Sequence, residues 1–222
     1  MKSKLHFLAA LLFAVTMVAL PTLAPAAATT ATYTLTSDHC TNNCGPQSSF
    51  GSILVTDLGG GSLSFSVSLL NGNQFINTGF PLTLAFDLNG DPSITYSGLT
   101  SGFSIPDATG STQTAGTYHM DGTGDFEYGV LVTAQGGPGV ISGPLSFTIS
   151  GSGLSLSSIQ LNANNNYFAV DILSGTTGNT GLVDSSMAPV PEPETYGMLL
   201  AGLGLMGFIA RRRRTTGEQK RK

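Results

Sequence analysis

Leu63-Ser64-Phe65-Ser66-Val67-Ser68-Leu69 alternates apolar and hydroxyl side chains without a fault. Successive side chains of a strand point to opposite faces. Period two therefore puts Leu63, Phe65, Val67 and Leu69 on one face and three serines on the other. One face belongs in a core and one in water, the usual condition of an antiparallel strand.

The pattern recurs outward from this stretch. Leu82-Thr83-Leu84-Ala85-Phe86-Asp87-Leu88 and Leu145-Ser146-Phe147-Thr148-Ile149-Ser150 repeat it. Weaker strand signals lie around 33–35, 53–55, 94–96, 126–132, 154–161 and 167–172. Turn formers separate them: Asp57-Leu58-Gly59-Gly60-Gly61, Asn71-Gly72-Asn73, Asn89-Gly90-Asp91-Pro92, Gly136-Gly137-Pro138-Gly139 and Ser174-Gly175. Short strands punctuated by Gly, Asn and Pro predict an all-β, antiparallel, sandwich-like single domain over residues 29–186. Roughly 160 residues suffice to bury one core. Gly175–Gly181 and Ala188–Pro191 read as linkers that let this body stand off from the membrane.

Charge is segregated. No Lys or Arg occurs between Leu5 and Ala210, and all nine lie at the two ends. Asp38, Asp57, Asp87, Asp91, Asp107, Asp121, Asp125, Glu127, Asp171 and Asp184 leave the body strongly anionic. A nucleic-acid partner is excluded, because phosphate contacts require Lys or Arg.

The ends explain the segregation. Lys2 and Lys4 precede an apolar run from Leu5 to Leu20, then Pro21 and a small-residue Ala26-Ala27-Ala28 site, which predicts a signal peptide over 1–28, cleaved after Ala28. At the other end stand Pro191-Glu192-Pro193, an uncharged stretch Thr195–Ala210, then Arg211-Arg212-Arg213-Arg214 and a short polar tail. The stretch predicts a transmembrane helix over 195–210. At about 1.5 Å per residue its sixteen residues reach about 24 Å, short of the roughly 30 Å hydrocarbon core. The arginines would keep its far end in the cytoplasm.

Pro-Glu-Pro, a short Gly-rich apolar span and an arginine cluster, in that order over 187–222, closely resemble a PEP-CTERM sorting signal. The resemblance implies export in a Gram-negative bacterium and transient anchorage in the inner membrane. It also implies removal of the signal by exosortase, a membrane-embedded cysteine protease, and a final place at the cell surface or outside. It concerns how the protein travels and leaves the work of the β body open.

The body offers few chemical groups. Cys40 and Cys44 are its two cysteines, in Asp38-His39-Cys40-Thr41-Asn42-Asn43-Cys44-Gly45-Pro46. His39, Cys40 and Cys44 supply three metal-type donors with no fourth nearby, whereas structural zinc sites usually close with four. A disulfide is the preferred reading: the Asn-Asn turn folds the loop back and an exported protein meets oxidising conditions. Asp87-Leu88-Asn89-Gly90-Asp91 and Asp121-Gly122-Thr123-Gly124-Asp125-Phe126-Glu127 resemble partial calcium loops, yet Gly98 stands where an EF-hand has Glu. Hairpin turns use the same residues, and turn acids are the preferred reading of both. Tyr118-His119 beside Asp121 suggests a base and its orienter, but no nucleophile elbow accompanies it. The expectation is a protein without catalytic residues, metal or cofactor, with a structural or interaction role in an exopolysaccharide-rich matrix. The alternative is a carbohydrate-binding or calcium-dependent adhesive module, with a secreted hydrolase behind both.

Overall fold

The computed structural model describes residues 28–134, 139–185 and 190–191, with Leu203 and Met206. The predicted signal peptide up to Ala27 and almost all of the predicted transmembrane helix lie outside these residues. Among the described residues no helix is long and apolar enough to cross a membrane. Leu203 and Met206 are helical and exposed.

The body is all-β and every strand pair is antiparallel. The chain runs β1 (Thr29–Leu35), β2 (Ser37–Cys40), β3 (Gly51–Gly59), β4 (Ser62–Leu69), β5 (Gln74–Phe75), β6 (Leu84–Leu88), β7 (Ile94–Ser97) and β8 (Phe103–Ser104). It continues β9 (Thr112–Gln113), β10 (Tyr118–Met120), β11 (Gly124–Phe126), β12 (Tyr128–Val132), β13 (Leu145–Ser150), β14 (Ile159–Gln160), β15 (Phe168–Leu173), β16 (Thr180–Ser185) and β17 (Val190–Pro191). The first sheet has the order β17-β1-β3-β4-β13-β7-β9. The second runs β2-β16-β15-β6-β12-β8, with β14 on β6 and β5 on β15.

The Ser-Phe-Ser-Val stretch is β4, in the middle of the first sheet. Its register places Phe65 opposite Val55 and Phe147. Its serines join rows of hydroxyls that cross the strands: Thr30, Thr56, Ser64, Thr148 and Ser97 form one row. Ser62, Ser150, Thr95 and Thr112 form another, in which Ser62 Oγ and Ser150 Oγ are 2.9 Å apart. The opposite face packs on the second sheet through rings from both. Phe65 stacks on Phe147 at 4.8 Å between centroids and meets Phe86 of β6 at 5.2 Å, while Phe86 stacks on Tyr128 at 5.8 Å.

The second sheet is closed on both faces. Leu84, Phe86, Phe168, Val170 and Val183 point into the core between the sheets. On the reverse face Ala85, Ala169 and Leu182 form a second apolar cluster with Leu82 and with Tyr118, Met120 and Phe126 of the β10–β11 hairpin. Small side chains on the sheet let the hairpin lie close. Within the sheet, Gly129 of β12 passes so near β6 that a Cβ there would collide with the Leu84 carbonyl.

Two expectations change. Residues 154–161 hold a single 3-10 turn, Leu156–Ser158, before the two-residue β14. Gly175–Gly181 is part of the fold, and so are the last two residues of Ala188–Pro191. Ser174 to Asn179 form the turn between β15 and β16, closed by Ser174 N donating to Asn179 O and Gly178 N to Ser174 O. Val190–Pro191 pair with β1. Six residues rich in Gly and Thr are also what a tight hairpin needs, and composition alone does not separate the two uses.

Candidate functional site

The sorting residues begin on the body itself. Val190 lies opposite Thr32 and Pro191 opposite Ala31, at the outer edge of the first sheet. A proline belongs at such an edge, where its missing N–H leaves no gap in a ladder. Glu192, Pro193 and Arg211 to Arg214 lie outside the described residues.

Cys40 and Cys44 are bridged, with Cα atoms 5.5 Å apart. Asn42 and Asn43, both at positive φ, turn the chain between them, a conformation that Asn tolerates better than most residues. Asp38 holds the loop from below: Cys40 N donates to its Oδ1 at 2.8 Å and Cys44 N to its Oδ2 at 2.7 Å. Among the described residues, Asp38, Cys40 and Cys44 place metal-type donors within 4.8 Å of one another. The bridge consumes both sulfurs and the backbone takes both oxygens. His39 turns to the other side of β2, where Nε2 donates to Asp184 Oδ2 at 2.8 Å. The three donors grouped in sequence are thereby divided between two faces.

The two acidic stretches are re-sorted in the same way. His119 and Asp125 face each other across the hairpin, with Nδ1 2.6 Å from Asp125 Oδ1 and Nε2 3.2 Å from Asp121 Oδ1. These groups are exposed, and the hydrogen bond to Asp125 raises the His119 pKa above its ordinary value. Glu127 leaves this group and joins Asp87 and Asp91. Its N–H donates to Asp87 Oδ1 at 2.7 Å, and its buried Oε2 has no hydrogen-bond partner among the described residues. Burial pushes Asp87 up to about 6, with the charges of Asp91 and Asp125 adding to the effect. Burial, then the charges of Asp87 and Asp91, pushes Glu127 up to about 7. Three carboxyl groups meet where the body has no Lys or Arg to offset them, so protons do so instead.

Asp171 and Asp184 carry no sequence signal as special, yet both are buried on the hairpin-covered face of the second sheet. Thr78 N and Oγ1 donate to Asp171 Oδ2 at 2.8 and 2.7 Å, while Oδ1 has no partner among the described residues. Burial pushes Asp171 up to about 7. Asp184 likewise has its Oδ1 without a partner among the described residues. The one sequence hint is that both acids interrupt apolar runs, Phe168-Ala169-Val170-Asp171-Ile172-Leu173 and Leu182-Val183-Asp184.

Asparagine side chains hold the backbone of the hairpin turn. Asn162, buried, donates from Nδ2 to Thr123 O at 2.9 Å and accepts at Oδ1 from Asn164 N and Asn166 N. Asn166 Nδ2 also donates to Thr123 O, at 2.8 Å. Together they tie the loop before β15 to the hairpin turn.

Pro191, paired with β1 at the edge of the first sheet, is also the first residue of the Pro-Glu-Pro triplet. Residues 189–214 match the family model of the PEP-CTERM protein-sorting motif. No curated protein and no solved structure matches the chain. The motif implies exosortase-dependent sorting of an exported, membrane-processed protein.

Proposed function

We propose that the β body is a structural or interaction protein of the cell surface or extracellular matrix, released there by exosortase and associated with exopolysaccharide. The observation that carries this reading is the sorting motif at residues 189–214, joined to a body of ten acids and no Lys or Arg. The open face of the first sheet supports it. Its rows of Ser and Thr hydroxyls carry no charge, and hydroxyls exchange hydrogen bonds with sugar hydroxyls and with water on similar terms. The role is non-catalytic in this reading.

Processing tests the first half. In a host with exosortase the released protein should end near Pro191 to Glu194 and lack Arg211 to Arg214. Replacing Pro191, Glu192 and Pro193 together with alanine should leave the uncut form in the inner membrane. Recovery of peptides through Gly207 and Phe208 from the released wild-type protein would overturn it. The second half is tested by fractionating matrix from cells and by glycan binding of the purified body.

A calcium-dependent adhesive module is the second reading, and the convergence of Asp87, Asp91 and Glu127 favours it. Glycan binding abolished by EDTA, together with retention of one calcium per chain, would replace the first reading by this one.

A further inference from the structure

Pro191 belongs to the sorting motif and to the folded body at once. β17 lies along one side of β1, whose other side is paired with β3 through all seven of its residues. Proline has no N–H, so the amide that β17 can offer to β1 is that of Val190.

A protease cleft that binds an extended chain takes up the backbone groups that a neighbouring strand would otherwise use. β17 is an edge strand whose outer side is open, but a cleft that encloses the chain also needs the side that β1 occupies. We propose that β17 is a latch on processing: exosortase meets Pro-Glu-Pro only after Val190 and Pro191 have peeled away from β1, and the folded body thereby sets the cleavage rate. The proposal rests on the sorting reading and deepens it. A substrate whose competent state is only partly populated reacts in proportion to that population. One or two backbone hydrogen bonds hold the opened state down by about two- to tenfold, a brake rather than a block.

The test follows precursor and mature forms of the full chain by pulse-chase in a host with exosortase. Val190→Pro removes the one donating amide and leaves Pro191-Glu192-Pro193 intact, and it should speed cleavage by about two- to tenfold. An unchanged or slower rate overturns the latch. Thr32→Cys with Val190→Cys works in the opposite sense. Directly opposed Cα atoms of an antiparallel pair are about 4.5–5.5 Å apart, within disulfide range. The cross-linked precursor should stay uncut until reductant is added. Failure to cross-link in the oxidising envelope, or cleavage of the cross-linked form at the wild-type rate, overturns the proposal. Hydrogen exchange on the purified precursor gives a readout independent of the protease: the Val190 amide should be protected in wild type, and an unprotected amide also overturns it. If the variant with alanine at 191, 192 and 193 is cut normally, the sorting reading fails while the pairing of β17 remains measurable by exchange.

Discussion

The two sheets contribute facing sides to one core and differ in what lies behind them. Among the described residues nothing buries the outer face of the first sheet, and β4 reads as a strict alternation of buried and half-buried residues over most of its length. Behind the second is the β10–β11 hairpin, and β6 is buried at all five positions. The same distinction sorts the acids. No acid stands in the rows of Ser and Thr on the first sheet, whereas Asp87, Asp171 and Asp184 lie buried in the second. A polar residue on an open face can exchange its partners for water. On a closed face it needs a built partner or a proton.

The core that both sheets share sets the largest expected effect. Phe65 touches Phe147 of its own sheet and Phe86 and Phe168 of the other. Phe65→Ala should cost about 3–5 kcal/mol, from lost transfer energy plus the cavity left behind. Denaturant unfolding of the body measures it. A loss below about 1 kcal/mol would mean that the two faces are not packed on each other through this ring.

The closed face should be sensitive to pH in a definite direction. Asp171 has a folded-state value of about 7 against an ordinary 3.8. The unfolded chain gives up that proton near its ordinary value while the folded chain keeps it. The associated stability is present at low pH and is lost as the pH rises from about 4 to about 7. Asp87 and Glu127, both raised, act in the same sense, and so does His119. The body should be more stable at about pH 4.5 than at about pH 8. Asp171→Asn, whose amide oxygen still accepts from Thr78, should shrink that difference by up to about 3 kcal/mol. Unfolding midpoints of both proteins at the two pH values check it, and a wild-type body that gains stability on going to the higher pH would contradict the burial of these acids.

What the sequence makes legible follows the same division. β4 and β13 are visible residue by residue because an open face forces alternation, and the all-β, antiparallel reading comes from them. The hairpin cover is not visible. Asp121 to Glu127 resembles a metal loop in composition, and only tertiary packing sends Tyr118, Met120 and Phe126 inward. Gly175 to Gly181 reads as a linker for a similar reason: a tight turn and a flexible spacer draw on the same residues. The acids stand out as clusters, but sequence distance groups them wrongly. It puts Glu127 with Asp121 and Asp125, whereas alternation along β11 and the start of β12 delivers it to Asp87 across the sheet. It puts His39 with the cysteines, although adjacent residues of a strand face opposite ways.

The disulfide should matter less than the core or the buried acids. It closes a loop of five residues, and such a short loop removes little unfolded-state entropy, so reduction should cost about 2 kcal/mol or less. Intact mass should rise by two hydrogens on reduction. Free thiols, or stoichiometric zinc in the oxidised protein, would overturn the bridge.

The smallest effect belongs to the open face, and it isolates the contrast between the sheets. Ser64 and Ala85 both sit mid-strand on the side of their sheet away from the shared core. Ser64 lies between Thr56 and Thr148 with water beyond, while Ala85 is buried against the hairpin cluster. Ser64→Ala exchanges one solvated hydroxyl for a methyl and should change stability by no more than about 0.5 kcal/mol. Ala85→Ser adds one oxygen, with no built partner in an apolar cluster, and should cost about 1–3 kcal/mol. The two substitutions are chemical opposites of the same size, so backbone propensity enters them with opposite signs. If what lies behind a sheet decides the cost of a hydroxyl, the losses must be unequal. Equal losses in parallel denaturant titrations would mean that water reaches Ala85, and the hairpin would then be a loose flap rather than a third layer.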